Sequence, residues 1–301
     1  MPADRPIRNA LLIMNPGSRI GRRALPKAQR AFEKAGVRCD TRVTESPGHG
    51  ATIAAELASR YDAVFTLGGD GTAMEVLGAL AHSGPPVGIL AGGTGNIVAR
   101  TLGIPLRAGR AVQALLDGDE ARIDLGRLAS GQRFAVGMGV GLDASMIAGA
   151  PAPLKRRLGF VAYVVSATRA VLKLETFHVR LTVDDKVYES SAAAVLIANF
   201  GAVLNDLIAF GDGIRRDDGL LNACVYAPKN FRDAMRIFWM MSRKKFPADP
   251  SITYYSGKHF ILETVPPRLG QADGELLGNS PFEIYVEPLA GRVLVPKGNR
   301  E

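Results

Sequence analysis

The sequence predicts an α/β N-terminal domain with a parallel sheet, followed by a β-rich domain that reads as an antiparallel sandwich or barrel. Three observations carry this. Up to about residue 125, apolar runs alternate with segments of helical spacing. After Asp124 the runs become shorter and extended, bounded by turns such as VDDK and ADGE. Glycine-rich turns also follow three apolar runs of the first half: NPGS at 15–18, GGDGT at 68–72 and GGTGN at 92–96.

In chain order, NALLIMN is the first strand, with a helix near residues 22–35, and VRCDTRVT the second, with a helix near 48–60. DAVFTLGG is the third; behind it Met74, Leu77, Gly78 and Ala81 recur at three- and four-residue intervals, the spacing of one helix face. PVGILAGGTGN is a fourth strand with its turn, and a helix leads on to TLGIP. Strands separated by helices imply βαβ units, whose ligands gather at the carboxyl ends of the strands. In the second half RFAVGMGVG, HVRLTV, VYESSAAAVLIAN, LLNACVY, KHFILET and FEIYVEP read as strands, and residues 154–173 and 230–244 as helices.

Composition narrows the class. With 301 residues and 47% hydrophobic side chains, the chain can bury a sizeable core, which argues against disorder. Cys39 and Cys224 lie far apart without CxxC spacing, as expected in a reducing compartment. ALLIM at 10–14 is too short for a signal peptide, and AAAVLIA at 192–198 too short for a membrane span. A net charge of +8 favours phosphates or an anionic membrane face. Neither a nucleic-acid recognition motif nor interleaved aromatic and basic residues accompany it, so no nucleic-acid partner is expected. His49, His82, His178 and His259 show no zinc spacing.

The three glycine turns would each stand at a strand's carboxyl end, where backbone amides and a helix N-terminus suit phosphate oxygens. None has the GxxxxGK[ST] spacing of a P-loop, and no GxGxxG opens the first helix. Asp70 puts a carboxylate among amides suited to anions, an arrangement that a magnesium ion bridging to phosphate would reconcile.

GGDGTAMEVLGAL followed by PVGILAGGTGNIVARTLGIP resembles the catalytic domain of the diacylglycerol kinase family, in its soluble bacterial branch related to sphingosine kinases. NPGS, IDLG at 123–126, VGMGVGLDA at 136–144, DDGLLNACV at 217–225 and ADGE at 272–275 extend the match along nearly the whole chain. NAD kinases and phosphofructokinases share loops like GGDGT; the later motifs favour the lipid kinases. The resemblance implies a nucleotide-binding α/β domain over residues 1–125, on which the tail 289–301 packs back, and a sandwich-type lipid-substrate domain over 126–288. It implies ATP-dependent phosphorylation of a lipid hydroxyl by a cytoplasmic protein peripherally attached to an anionic membrane surface, compatible with a homodimer. A soluble-substrate kinase of the NAD kinase type and a nucleotide-responsive lipid-binding protein are the alternatives.

Carried over residue by residue, the resemblance implies nucleotide contacts at Asn15, Pro16, Gly17 and Ser18, at Thr44, at Gly68, Gly69, Asp70, Gly71 and Thr72 with Ala73, Met74 and Glu75 behind them, and at Thr94, Gly95 and Asn96. Asp70 would act through magnesium near the phosphates, assisted by Asp124. Ile97 stands where the family's commonest third loop has aspartate, removing one carboxylate from the usual magnesium network. RRDDGLL resembles a family metal site. Adjacent side chains of extended chain diverge, so Asp217 and Asp218 do not both aim at one ion; the expected ligands are the Asp218 carboxylate and the carbonyls of Arg215 and Leu220. The family's active-site carboxylate comes from the ADGE turn, where Glu275 is the expected base, with Asp273 sharing the task or orienting the acceptor. FRDAMRIFWMMSRKKF aligns Phe231, Met235, Phe238 and Met241 or Ser242 on one helical stripe ending at Arg243, Lys244 and Lys245. It reads as a core-packed helix with a solvated basic end, or as a membrane contact.

Overall fold

A computed structural model describes residues 6–141, 175–203 and 208–299. The helix expected at 154–173 and residues 142–144 of the VGMGVGLDA motif lie outside these. The chain divides into two compact units, Met1–Ile123 with Leu289–Glu301, and Asp124–Pro288.

In the first unit β1 (Asn9–Met14) leads to α1 (Arg19–Lys34), β2 (Arg38–Val43) to α2 (His49–Leu57), and β3 (Ala63–Gly68) to α3 (Asp70–Ala79). β4 (Val87–Ala91), α4 (Ile97–Thr101) and α5 (Ala108–Leu116) follow. The strands pair in parallel in the order β2-β1-β3-β4. β1 and β3 are buried along nearly their whole length, as strands covered by helices on both faces must be. From β1 the chain moves outward to β2, and from β3 the other way to β4. Right-handed crossovers therefore put α1 and α3 on opposite faces, with α5 beside α1 and α2 beside α3. That reversal makes the carboxyl ends of β1 and β3 a topological switch point, the position where such sheets open a crevice for ligands.

β5 (Asp119–Leu128) and the last strand of the chain each run through both units. The second unit continues with β6 (Arg133–Phe134), β7 (Gly137–Gly141), β8 (Phe177–Val183), β9 (Lys186–Ala192), β10 (Ala194–Ala198), and the short β11 (Ala202–Val203) and β12 (Ile208–Ala209). Then come β13 (Leu221–Tyr226), α6 (Phe231–Arg243), β14 (Ile252–Gly257), β15 (His259–Val265), β16 (Leu269–Ala272), β17 (Glu275–Asn279) and β18 (Phe282–Val295). One antiparallel sheet runs β14-β13-β10-β7-β16-β17; the first part of β18 pairs with β15, then β8 and β9, in the other. Between them lies an apolar core that includes Met138, Val140, Val179, Leu181, Val195, Ile197, Phe260 and Ile284, which makes the unit a sandwich.

Two runs read as single strands are broken. VYESSAAAVLIAN splits at Ala193, because its polar half is the exposed edge strand β9 while its apolar half is the buried strand β10 of the opposite sheet. RFAVGMGVG breaks between β6 and β7, where the amides of residues 135–137 turn to a side chain instead of a neighbouring strand.

The last strand belongs to both units. Its start pairs antiparallel with β15, and Val293 pairs in parallel with Val87 of β4. Within the first unit this returning segment is fixed by a two-pronged Arg292–Glu120 ion pair at 2.8 and 2.9 Å, and by Asn299 Nδ2 donating to the Leu102 carbonyl at 2.7 Å.

Helix α6 starts with a reciprocal cap: Asn230 Oδ1 accepts from the Asp233 amide at 3.0 Å, and Asp233 Oδ2 from the Lys229 amide at 3.1 Å. The face it buries is Ala234, Ile237 and Met240, packed with Leu196, Cys224 and Tyr226 on the outer side of the six-stranded sheet. The expected stripe therefore divides. Met241 packs toward the sheet, whereas Phe231 and Phe238 stand exposed together with Trp239.

Candidate active site

Three loops meet at the switch point of the first unit. Asn15 Nδ2 donates to Thr72 Oγ1 at 3.1 Å, and Asn15 Oδ1 accepts from the Gly17 amide at 2.9 Å. One side chain thereby shapes the first loop and ties it to the start of α3. Ser18 Oγ caps α1, accepting from the Gly21 amide at 3.0 Å, and donates to the Gly92 carbonyl. The second and third loops touch backbone to backbone: the Gly92 amide donates to the Gly68 carbonyl at 2.8 Å. A Cβ on Gly92 would stand 2.9 Å from the Gly68 nitrogen, and one on Gly93 2.6 Å from the Gly69 Cα. Glycine is required there by close approach. Gly92 and Gly93 thus hold the third loop against the second, which the Thr94–Asn96 part of the expected site leaves out although the glycine pair was visible in the sequence.

Asn96 takes a left-handed conformation, φ 51°, and closes the third loop on itself through two 2.8 Å bonds with the amide and carbonyl of Gly93. Thr94 and Gly95 form its exposed crest. The N-terminus of α3 carries no side-chain cap, because Gly69 precedes it.

Asp70 stands among these loops. Its Oδ1 accepts from the Val98 amide at 3.0 Å. Burial pushes its carboxyl above the usual carboxylate range, against the pull of backbone amides at Val98, Ile97 and Asn96. A carboxylate held ionised there is disfavoured unless positive charge faces it, the condition a phosphate-bound magnesium ion satisfies. The site thus fits that ion, with Asp70 as the residue that would hold it.

Other expected nucleotide residues shape the site from behind. Thr44 is buried at the end of β2, its amide donating to the Met14 carbonyl at 2.9 Å. Ala73 lies in the core and Met74 is half-buried. Glu75 ties α3 to α2, its carboxylate accepting from the amides of Gly48 at 2.8 Å and Gly50 at 3.1 Å. That side chain is committed to capping the N-terminus of α2.

In the second unit, Asp124 is fully buried, and its Oδ2 accepts from the Gly219 amide at 2.7 Å. The resemblance pairs Asp124 with Asp70; this hydrogen bond joins it to the turn expected to hold a metal. Asn199 reaches the same place, donating from Nδ2 to the carbonyls of Asp124 at 2.7 Å and Ala135 at 2.6 Å. Sequence reasoning passed over Asn199, although a polar residue ending the apolar run AVLIA was a visible signal. Asp218 is exposed and its Oδ1 accepts from the Leu220 amide at 3.0 Å, while Asp217 pairs with Arg215 at 3.3 Å. The two neighbouring carboxylates thus serve different partners. Among the described residues no group of three or more His, Cys, Asp or Glu side chains could hold a metal. A cation here would rest on Asp218 with backbone carbonyls and water, a donor set that suits a hard ion.

The ADGE turn joins β16 to β17, with Ala272 opposite Glu275. Asp273 and Gly274 both have positive φ, 46° and 89°, the two-residue hairpin turn that an Asp-Gly pair specifies. The two acids then part company. Asp273 is buried, and its carboxylate accepts from the amides of Ala135 at 2.6 Å, Val136 at 2.9 Å and Gly137 at 3.0 Å. It fills the break between β6 and β7. Glu275 is exposed at the start of β17. Of the two, Glu275 has the accessibility that proton transfer to or from a substrate demands.

Comparison with known proteins agrees with this geometry. Residues 9–128 match the family model of the diacylglycerol kinase catalytic domain, and residues 136–295 that of the YegS C-terminal NAD kinase beta sandwich-like domain. The diacylglycerol kinase of Staphylococcus saprophyticus is 26% identical over 283 residues, covering 91% of both chains. That of Staphylococcus epidermidis is 27% identical over 284 residues, covering 91% of this chain and 88% of its own. A solved structure of a candidate diacylglycerol kinase from Bacillus anthracis superimposes with a TM-score of 0.82 at 27% identity, over 97% of each chain. The chain belongs to the diacylglycerol kinase family: it is a lipid kinase, a phosphotransferase with an alcohol as acceptor.

Proposed function

We propose that the protein transfers the γ-phosphoryl group of ATP to the hydroxyl of a lipid, diacylglycerol or a close relative, at an anionic membrane surface. The observation that carries this is the cross-linked set of three glycine loops at the switch point with Asp70 among them. Backbone amides of the Asn15–Ser18, Gly68–Thr72 and Thr94–Asn96 loops cradle the phosphates, and Asp70 is the residue that would hold magnesium. The metal, when bound, offsets phosphate charge as it shifts during transfer.

The chain's own residues supply the remaining chemistry. The acceptor oxygen forms a bond to the γ-phosphorus while the bond from that phosphorus to the bridging oxygen breaks, and ADP leaves. The acceptor's proton passes to the Glu275 carboxylate. Asp273 holds the hairpin turn that presents Glu275. A second cation would be held by the Asp218 carboxylate with the Arg215 and Leu220 carbonyls. Among the described residues no helix is long and apolar enough to cross a membrane. The lipid substrate is met at the bilayer surface, to which a net charge of +8 draws the chain.

Incubation with labelled ATP and, in parallel, a total lipid extract or NAD tests the reading. A single lipid species gaining phosphate is the expected result; label on NAD and on no lipid replaces it with a soluble-substrate kinase.

A further inference from the structure

Helix α6 is apolar on both sides. Its inner side covers the six-stranded sheet, while Phe231 and Phe238, each 49% exposed, and Trp239, 54% exposed, point away from it. The Phe238 and Trp239 rings meet edge to face at 6.5 Å, and the Arg243 guanidinium lies 5.2 Å over the Trp239 ring. Arg232, Arg243 and Lys245 are exposed around them.

The nearby acids face elsewhere. Asp233 pairs with Arg236 at 2.9 Å, and Asp249 with the same Arg236 at 2.5 Å. Among the described residues Arg232, Arg243 and Lys245 form no ion pair, so this aromatic surface is ringed by uncompensated positive charge. Charge complementarity selects its occupant. A second copy docked face to face would set these cations against themselves. A bilayer offers lipid phosphates to the cations and the upper acyl region to the rings, the pairing that interfacial helices use.

We propose that the outer face of α6 docks this protein on an anionic bilayer, with Phe238 and Trp239 at the boundary of headgroups and upper acyl chains and Arg232, Arg243 and Lys245 on lipid phosphates. This rests on the lipid-kinase reading and adds the surface through which the enzyme reaches its substrate.

Trp239 is the chain's single tryptophan, so intrinsic emission reports this face alone. With vesicles of phosphatidylglycerol and phosphatidylcholine, the expected result is co-sedimentation, a blue-shifted emission, and quenching by lipids brominated high on the acyl chain. Arg232→Glu with Arg243→Glu and Lys245→Glu weakens sedimentation by on the order of tenfold or more, since each basic residue near an anionic surface adds roughly a fivefold gain. Sedimentation with unchanged emission overturns the proposal, as does absence of sedimentation at low salt. A concentration-dependent blue shift without vesicles overturns it too, in favour of a second copy. Turnover of dispersed dioctanoylglycerol separates this from the kinase reading: equal rates for wild type and triple variant are expected, with loss confined to vesicle substrate. If wild type phosphorylates no lipid in any form, the kinase reading fails while the emission shift still decides docking.

Discussion

Asp70 Oδ1 lies 3.0 Å from the amide nitrogen of Val98, so the carboxylate in the middle of the second glycine loop also holds the start of α4 after the third. One residue sets both the spacing of the loops and the charge between them.

The first prediction follows from its shifted titration. Burial raises the Asp70 carboxyl above its unfolded value, so the folded state binds the proton more tightly. Stability from this group is therefore greatest below the unfolded value and declines as pH rises through the folded one. Asp70→Asn removes the charge but keeps an oxygen for the Val98 amide. It raises the melting temperature relative to wild type at pH 7 more than at pH 4, while turnover falls by about 100-fold or more. Melting curves at the two pH values and a kinase assay check both halves; near-normal turnover removes Asp70 from the mechanism.

The second concerns the packing of the loops. Gly93→Ala sets a methyl group 2.6 Å from the Gly69 Cα, backbone that cannot rotate away. Overpacking of this kind costs about 1–3 kcal/mol, and the loops separate where the phosphates bind. ATP affinity, read by titration calorimetry, falls more steeply than the melting temperature does.

The third tests the cation on the second unit. Magnesium bound only to the folded chain raises its melting temperature by mass action, and Asp218→Ala abolishes that increment. Asp124→Ala, which strips the acceptor from the Gly219 amide, lowers stability with or without magnesium. Equal protection of wild type and Asp218→Ala by the ion would sink the assignment.

The parallel sheet and its loops were legible because the signals are local: a strand's apolar run, glycines at its end, and helical spacing behind it. The ADGE turn was legible in the same way, since Asp-Gly alone specifies a two-residue hairpin. What sequence left open depends on which sheet or face a residue joins. Nothing in VYESSAAAVLIAN marks Ala193 as the crossing between sheets. Which side of α6 meets the sheet stayed open between a core-packed stripe and a membrane contact, because Phe231 and Phe238 are more hydrophobic than Ala234, yet the smaller side chain permits close packing on the sheet. The division of labour within ADGE was hidden for a similar reason: Asp273 finds its partners more than 130 residues away, at 135–137.

The last prediction turns on that division. Asp273→Ala leaves the buried amides of Ala135, Val136 and Gly137 without their acceptor, each at a cost of about 1–3 kcal/mol, and forces alanine into a left-handed conformation. The variant is severely destabilised, by about 3 kcal/mol or more, and is assayed for turnover only where it remains folded. Asp273→Asn keeps one acceptor oxygen and falls between. Glu275→Gln changes an exposed side chain, so melting temperature and ATP affinity stay close to wild type while lipid turnover drops by roughly 100-fold, the scale of lost acid–base assistance. The pH profile separates base from scaffold: loss of the base removes the acidic limb of kcat, whereas a weakened scaffold lowers activity at every pH. If Glu275→Gln keeps both its turnover and that limb, the proton goes elsewhere, and Asp70 is the next carboxylate to test.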